Sequence, residues 1–339
     1  SVAYAANRAK AFEADVDVYI INTDGVTWLA RQKPKFFKRF STLITDEASA
    51  FKHHTSQRSK ALAKIRKYFE FRYLLSGTPN SNSVTELWHL LFILDDGKRL
   101  GDSFYKFRNT VANSTQTGPQ PNMVTWEDKP GSIEAVASII SDISIRHKLE
   151  DCQDIPANHS YSIEYELPKA VRKAYDQMEA VAISQLKSGL VTAVNAASVA
   201  IKLLQICSGA VYDELSVPHV IDTERYELIG ELLAAREHSV VFFSWRHQRE
   251  CLEKELTNRK ISSMAIDGTV SDKDRLLNVQ RFQAGHYQAA LLHPQSAAHG
   301  STLTRGRTTI WPGPIHNAEL WKQGNHRIYR AGQKEKTET

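Results

Sequence analysis

The sequence predicts an α/β protein built as two lobes, each organised around a parallel sheet. Three observations lead there. A chain of 339 residues is too long for one ordinary domain. Between residues 224 and 292, helical and strand patterns alternate in a βαβα rhythm, the signature of a parallel sheet with covering helices. Near the other end, the apolar run Leu43-Ile44 leads into Asp46-Glu47. That arrangement puts two carboxylates at the C-terminal edge of a strand, where open α/β sheets bind ligands.

The elements follow in order. Residues 15–23 alternate and run into Asn-Thr-Asp-Gly, a strand and a turn. Ser41 to Ile44 is a second buried strand, ending at Asp46. From Arg58 to Phe69 the period becomes helical, with Leu62, Ile65 and Phe69 on one face and Lys60, Lys64 and Lys67 on the other, a solvated face more readily than a phosphate contact. Tyr73 to Leu75 is a strand, turned by Ser76-Gly77-Thr78-Pro79. Glu86 to Leu94 is a strongly apolar helix with Trp88 in the core. Residues 111–132, rich in Asn, Thr, Gln, Gly and Pro, predict an exposed loop. Ile133–Ile145 is a helix, Tyr161–Leu167 a strand, and Pro168 opens a long helix. Val191–Ile206 is an Ala-rich helix. Then come helix 224–236, strand 240–245, helix 247–257, strand 261–266, helix 271–284 and strand 288–292. The expected division is a first lobe over 1–160, a helical connector over 161–220 and a second lobe over 221–339.

Composition sets bounds. Net charge is +5, compatible with a nucleic-acid groove without arguing for one. Three cysteines, Cys152, Cys207 and Cys251, lack metal-ligand spacing and read as free thiols in a reducing compartment. The 13 histidines form no zinc-type cluster. No run approaches the length of a membrane span, and the expected location is cytoplasmic.

Chemistry concentrates in three blocks: Asp46-Glu47-Ala48-Ser49, Leu74 to Pro79, and Gln323 to Gln333. Together they suggest a site for Mg-nucleotide held between two halves of the chain. Phosphoryl transfer asks a protein mainly for positioning and charge compensation. Asp46 is suited to Mg²⁺ through water, and Glu47 to orienting or deprotonating the attacking water. Arg327 and Arg330, three apart, are expected on one helical face, from which they could neutralise charge on a γ-phosphate. The bland alternatives are a solvated loop start for the carboxylates and a surface ion-pair face for the arginines.

In these blocks and their order the sequence resembles the Swi/Snf-type translocase ATPases of helicase superfamily 2. Asp17 to Thr23 looks like the family's strand ending in a DNA-contacting turn. Asp46 to Ser49 stands at its Asp-Glu-Ala-His block, with Ser49 in place of His. Ser76 to Asn80 followed by Glu86-Leu87-Trp88 is similar to its (Ser/Thr)-Gly-Thr-Pro block and Glu-Leu-Trp helix. Val240 to Trp245 resembles the first strand of the second lobe. Ile266 to Thr269, with Arg275 and Phe282, matches a further segment. Ala297 to Thr304 stands at a Gly-rich turn, with Ala298 and Thr302 in place of Gly and Asn. Gln323 to Gln333 is close to Gln-x-x-x-Arg-x-x-Arg-x-Gly-Gln.

The resemblance implies two RecA-like lobes, the first incomplete at its N-terminus and the second clipped at its C-terminus. It implies ATP and Mg as cofactors, with Gln323 and Gly300 at the nucleotide and Ser76 and Thr78 relaying its state. It implies DNA as partner, held mostly by its phosphate backbone through Asn22, Thr23, Arg246 and Thr302, with no membrane involved. The implied activity is that of an ATP-dependent motor on double-stranded DNA. A strand-separating helicase is the nearer alternative. A non-hydrolysing nucleic-acid-binding fragment is the other, because Gly-x-x-x-x-Gly-Lys-(Ser/Thr) is absent: the single Gly-Lys pair, Gly97-Lys98, precedes Arg99.

Overall fold

The computed structural model describes residues 2–3, 7–117, 123–187, 193–297, 301–315 and 317–339. The chain falls into two compact units, Ser1–Arg146 and His147–Thr339. The architecture is α/β, as the sequence predicts.

In the first unit, strand Thr42–Thr45 pairs in parallel with Phe71–Leu74, and Val2–Ala3 pairs in parallel with Ile20–Ile21. Helix Gln57–Ile65 connects the first pair and is capped by Ser56, whose Oγ accepts from Ser59 N–H. Leu62 and Ile65 are buried, as their spacing predicts. Lys60, Lys64 and Lys67 are exposed on the other face, as expected, and Lys64 Nζ also donates to Ala30 O at 2.8 Å. Helix Leu87–Asp95 buries Trp88, whose Nε1 donates to Gly101 O. One core joins these helices to Phe12, Phe37 and Phe51.

The stretch 111–132 is not the expected loop. Ala112–Gln116 and Val124–Asp128 form an antiparallel hairpin. It is fixed at its base by Asp128, which accepts from Ser83 Oγ and Val84 N–H, and by Arg108 lying 3.7 Å over the Trp126 ring. The strands are mostly polar, so composition alone conceals them.

The second unit holds a six-stranded parallel sheet in the order Ser263–Ile266, Ala289–Leu292, Ser239–Phe242, Thr308–Ile310, Thr337–Glu338, Asn158–His159. Its central strands are buried end to end, as parallel strands covered on both faces must be. Helices Glu224–Ala234 and Arg246–Asn258 pack on one face with Tyr226, Leu233 and Leu252. Phe282, Leu303 and Ile328 fill the other. The helices Lys169–Lys187 and Ala193–Cys207 pack against each other within this unit. The predicted strand 161–167 is not a strand in the structure, although Tyr161 N–H donates to Thr339 O at 3.0 Å.

Candidate functional site

The carboxylate edge forms because the two strands that build it stop in register. Thr45 pairs with Leu74, Leu75 N–H donates to Thr45 O at 2.9 Å, and Ala48 N–H donates to Leu75 O at 2.9 Å. Asp46 and Glu47 are therefore lifted onto the rim, both exposed, while Ala48 and Ser49 turn inward and are buried. Glu47 adopts the left-handed conformation, φ 47° and ψ 51°. That region is uncommon for a residue with a Cβ, and such outliers gather at functional sites. Asp46 Oδ1 accepts the Glu47 N–H at 2.9 Å, which steadies the turn. The adjacent turn is held locally as well, Thr78 N–H donating to Ser76 Oγ at 3.3 Å. Asp46, Glu47, Ser76 and Thr78 thus share one sheet edge.

Hard oxygen ligands on an open rim suit Mg²⁺ in the form it prefers, with several waters retained. Among the described residues no cluster of three or more His, Cys, Asp or Glu side chains makes a closed metal cage. The donor chemistry at Asp46 fits a water-mediated ion.

Asn22 and Thr23 lie at the end of strand Ile20–Ile21. Asn22 Oδ1 is engaged as a cap, accepting from Gly25 N–H at 3.0 Å.

The second unit carries the rest. Arg327 and Arg330 do not share a helical face: helix Ala318–Asn325 ends before them, and both sit in the turn that follows. The turn is built onto the core. Ile328 is fully buried, Leu303 N–H donates to Arg327 O at 2.9 Å, and Arg327 Nη1 lies 3.4 Å from Ser301 O. Arg327 is 7% exposed, and Arg330 is half-buried. Gly324 lets the preceding helix approach Trp311, since a Cβ there would come within 2.6 Å of the indole. Trp311 stacks on Phe242 and donates to Asn325 Oδ1.

Gln333, quoted in the sequence block without a role of its own, ties this turn together. Its Nε2 faces the carbonyls of Thr304, Gly306 and Ile328 at 3.0 to 3.1 Å, and its Oε1 accepts from Lys334 and Glu335 N–H. A buried amide with both ends engaged is a strong local constraint. The sequence offered only its place in the block as a signal.

Gln323 is half-buried, 3.4 Å from Glu319 Oε1. Arg246 is the exposed first residue of helix Arg246–Asn258, 3.5 Å from Glu250. Trp245, expected at the end of strand 240–245, precedes that helix rather than lying in the strand. Thr302 is half-buried beside the Arg327 turn, and Gly300 lies outside the described residues. His247 is fully buried between Ser208 and Tyr212, and burial holds its pKa below the ordinary value, so it serves the core.

Two family descriptions match the sequence: the SNF2-related domain over residues 4–209 and the helicase conserved C-terminal domain over residues 224–333. The chain belongs to the SNF2-related family. Among relatives of this SNF2-related chain is putative protein p41 of Acyrthosiphon pisum secondary endosymbiont phage 1, 28% identical over 297 residues, 85% of this chain and 62% of the relative. Another is the uncharacterized ATP-dependent helicase MG018 of Mycoplasma genitalium, 25% identical over 308 residues, 87% of this chain and 28% of the relative. The chain thus spans less than two thirds of either. Among solved structures, the Sulfolobus solfataricus SWI2/SNF2 ATPase core in complex with dsDNA aligns with TM-score 0.43 and 20% identity, covering 100% of this chain and 70% of that one. No helix among the described residues is long and apolar enough to cross a membrane.

Proposed function

We propose that this SNF2-related chain forms part of an ATP-driven translocase acting on double-stranded DNA. The observation that carries the reading is the shared edge: Asp46 and Glu47 exposed on one strand end, with Ser76 and Thr78 on the next. Bound Mg²⁺ would supply charge neutralisation at the phosphates. Asp46 would hold that ion through water. Glu47 would orient the attacking water and take its proton from its exposed position on the rim. Arg327 and Arg330 are assigned to charge developing on the γ-phosphate. Ser76 and Thr78 would report nucleotide state toward the DNA-contacting residues. Gln323 and Gly300 are proposed nucleotide contacts. Asn22, Thr23, Arg246 and Thr302 are proposed contacts to phosphate oxygens, which read no bases. Binding to DNA should then be largely independent of sequence and weaken steeply with salt.

The test compares wild type with Glu47→Gln in ATP hydrolysis, with and without duplex DNA. Loss of a general base costs about 10²–10⁴ in rate. We expect a fall in that range with DNA binding retained. Turnover near the wild-type level in Glu47→Gln removes Glu47 from this role. DNA binding indifferent to ATP, without hydrolysis in wild type, favours the binding-module reading.

A further inference from the structure

Strand pairing connects the Asp46-Glu47 turn to the Ser76–Pro79 turn only as far as Ala48 and Leu75. Beyond that point the two loops are joined by a polar cluster. Lys52 ends the short 3₁₀ helix Ala48–Phe51 that follows Glu47. Its Nζ lies 2.9 Å from Glu86 Oε1 and 2.8 Å from Ser81 Oγ. Both charged side chains are 9% exposed. Glu86 in turn gathers the loop after Pro79: Oε1 accepts from Asn82 Nδ2 at 3.0 Å, and Oε2 from Asn82 N–H at 3.3 Å and Ser81 Oγ at 3.4 Å. Glu86 also opens helix Leu87–Asp95, so the cluster is anchored to the core on that side. On the other side Phe51, next to Lys52, is buried, and its carbonyl accepts from Ser59 Oγ and faces His89 Nδ1.

A buried ion pair is a poor source of net stability, because desolvation offsets the Coulomb attraction and an apolar pair of similar volume often does as well. What it imposes is geometry: either charge left alone is strongly unfavourable, so the two loops keep one arrangement. Coupling requires an element that both sites bias. We propose that Lys52 and Glu86 are a positioning pair that locks the loop carrying Glu47 to the loop carrying Ser76 and Thr78, so that a change at one edge position moves the other. The coupling part rests on the function proposed above. The geometric part does not.

The experiment uses the full chain as wild type, Lys52→Met, Glu86→Gln, Lys52→Arg and the apolar pair Lys52→Met/Glu86→Leu. Three quantities are read: thermal unfolding, the ratio of ATP hydrolysis with and without duplex DNA, and hydrogen exchange at the Ala48 and Asn82 amides. The expected result is a split. Each of Lys52→Met and Glu86→Gln lowers the melting temperature and at least tenfold reduces stimulation by DNA. The apolar pair regains the melting temperature but not the stimulation, and exchanges at least tenfold faster at Ala48 and Asn82. Lys52→Arg keeps both. An apolar pair that regains stimulation and wild-type exchange reduces Lys52 and Glu86 to ordinary core residues and overturns the proposal. If wild type shows no hydrolysis with DNA, the function reading fails instead, and the exchange rates of the apolar pair still decide whether the two residues hold the loops.

Discussion

The two units use the same kind of strand in opposite circumstances. In the second, Val240, Val241 and Leu291 are fully buried, closed in by helices on both faces. In the first, Thr42–Thr45 and Phe71–Leu74 pair in parallel as well, yet one face is open: Ile44 is 63% exposed, Tyr73 54% and Phe71 48%. Val18, Ile20 and Leu75 are exposed too. Parallel sheets occur almost always covered on both faces. The difference shows that a strand's sequence sets its periodicity while the neighbouring layers set its energetic worth.

The largest test of that contrast is truncation in the covered sheet. Phe242→Ala removes a buried ring stacked on Trp311 and should cost about 3–5 kcal/mol in urea unfolding. Ile44→Ala, on the open face, should stay within about 0.5 kcal/mol and lower the binding of a hydrophobic dye. Equal costs at the two positions would mean that the open face is covered in solution.

Acid sharpens the comparison within the first unit. His89 is buried, with Nδ1 placed 2.6 Å from Phe51 O, and burial pushes its pKa from 6.5 down to about 4. Below the ordinary value the unfolded chain takes up a proton that the folded chain refuses. Stability should therefore be unaffected above pH 6.5 and fall as pH drops toward 4, by up to about 3 kcal/mol. Unfolding midpoints at pH 7 and 4.5 measure the fall, and His89→Gln should flatten it. An unchanged slope in that variant would assign the acid sensitivity elsewhere.

The sequence and structure agree most where periodicity is long. The alternation from 224 to 292 predicts every strand and helix observed there, the central strands Ser239–Phe242 and Ala289–Leu292 being buried throughout. The carboxylate edge was also legible, since the apolar run Leu43-Ile44 marks a strand and Asp46-Glu47 its end. Strands such as Thr308–Ile310 and Thr337–Glu338 were not, being too short to show a period and dependent on distant partners. The 112–128 hairpin hid behind polar residues. Arg327 and Arg330 were read at helical spacing, but helix Ala318–Asn325 stops short of them, and their turn is set by the burial of Ile328 and by the contacts of Gln333 with the distant carbonyls of Thr304 and Gly306. The left-handed Glu47 and the Lys52–Glu86 pair are likewise products of tertiary structure.

The order of the second sheet also governs when it can be completed. Among the described residues, strand Asn158–His159 pairs only with Thr337–Glu338, and Thr337 Oγ1 donates to the Asn158 side chain 179 residues earlier. During synthesis that early strand must wait, its edge unpaired, until nearly all the unit has left the ribosome. The first unit closes its own pairs within shorter spans and can fold while the second is still being made. The waiting edge is the place where a nascent chain of this design is most open to pairing with the wrong neighbour.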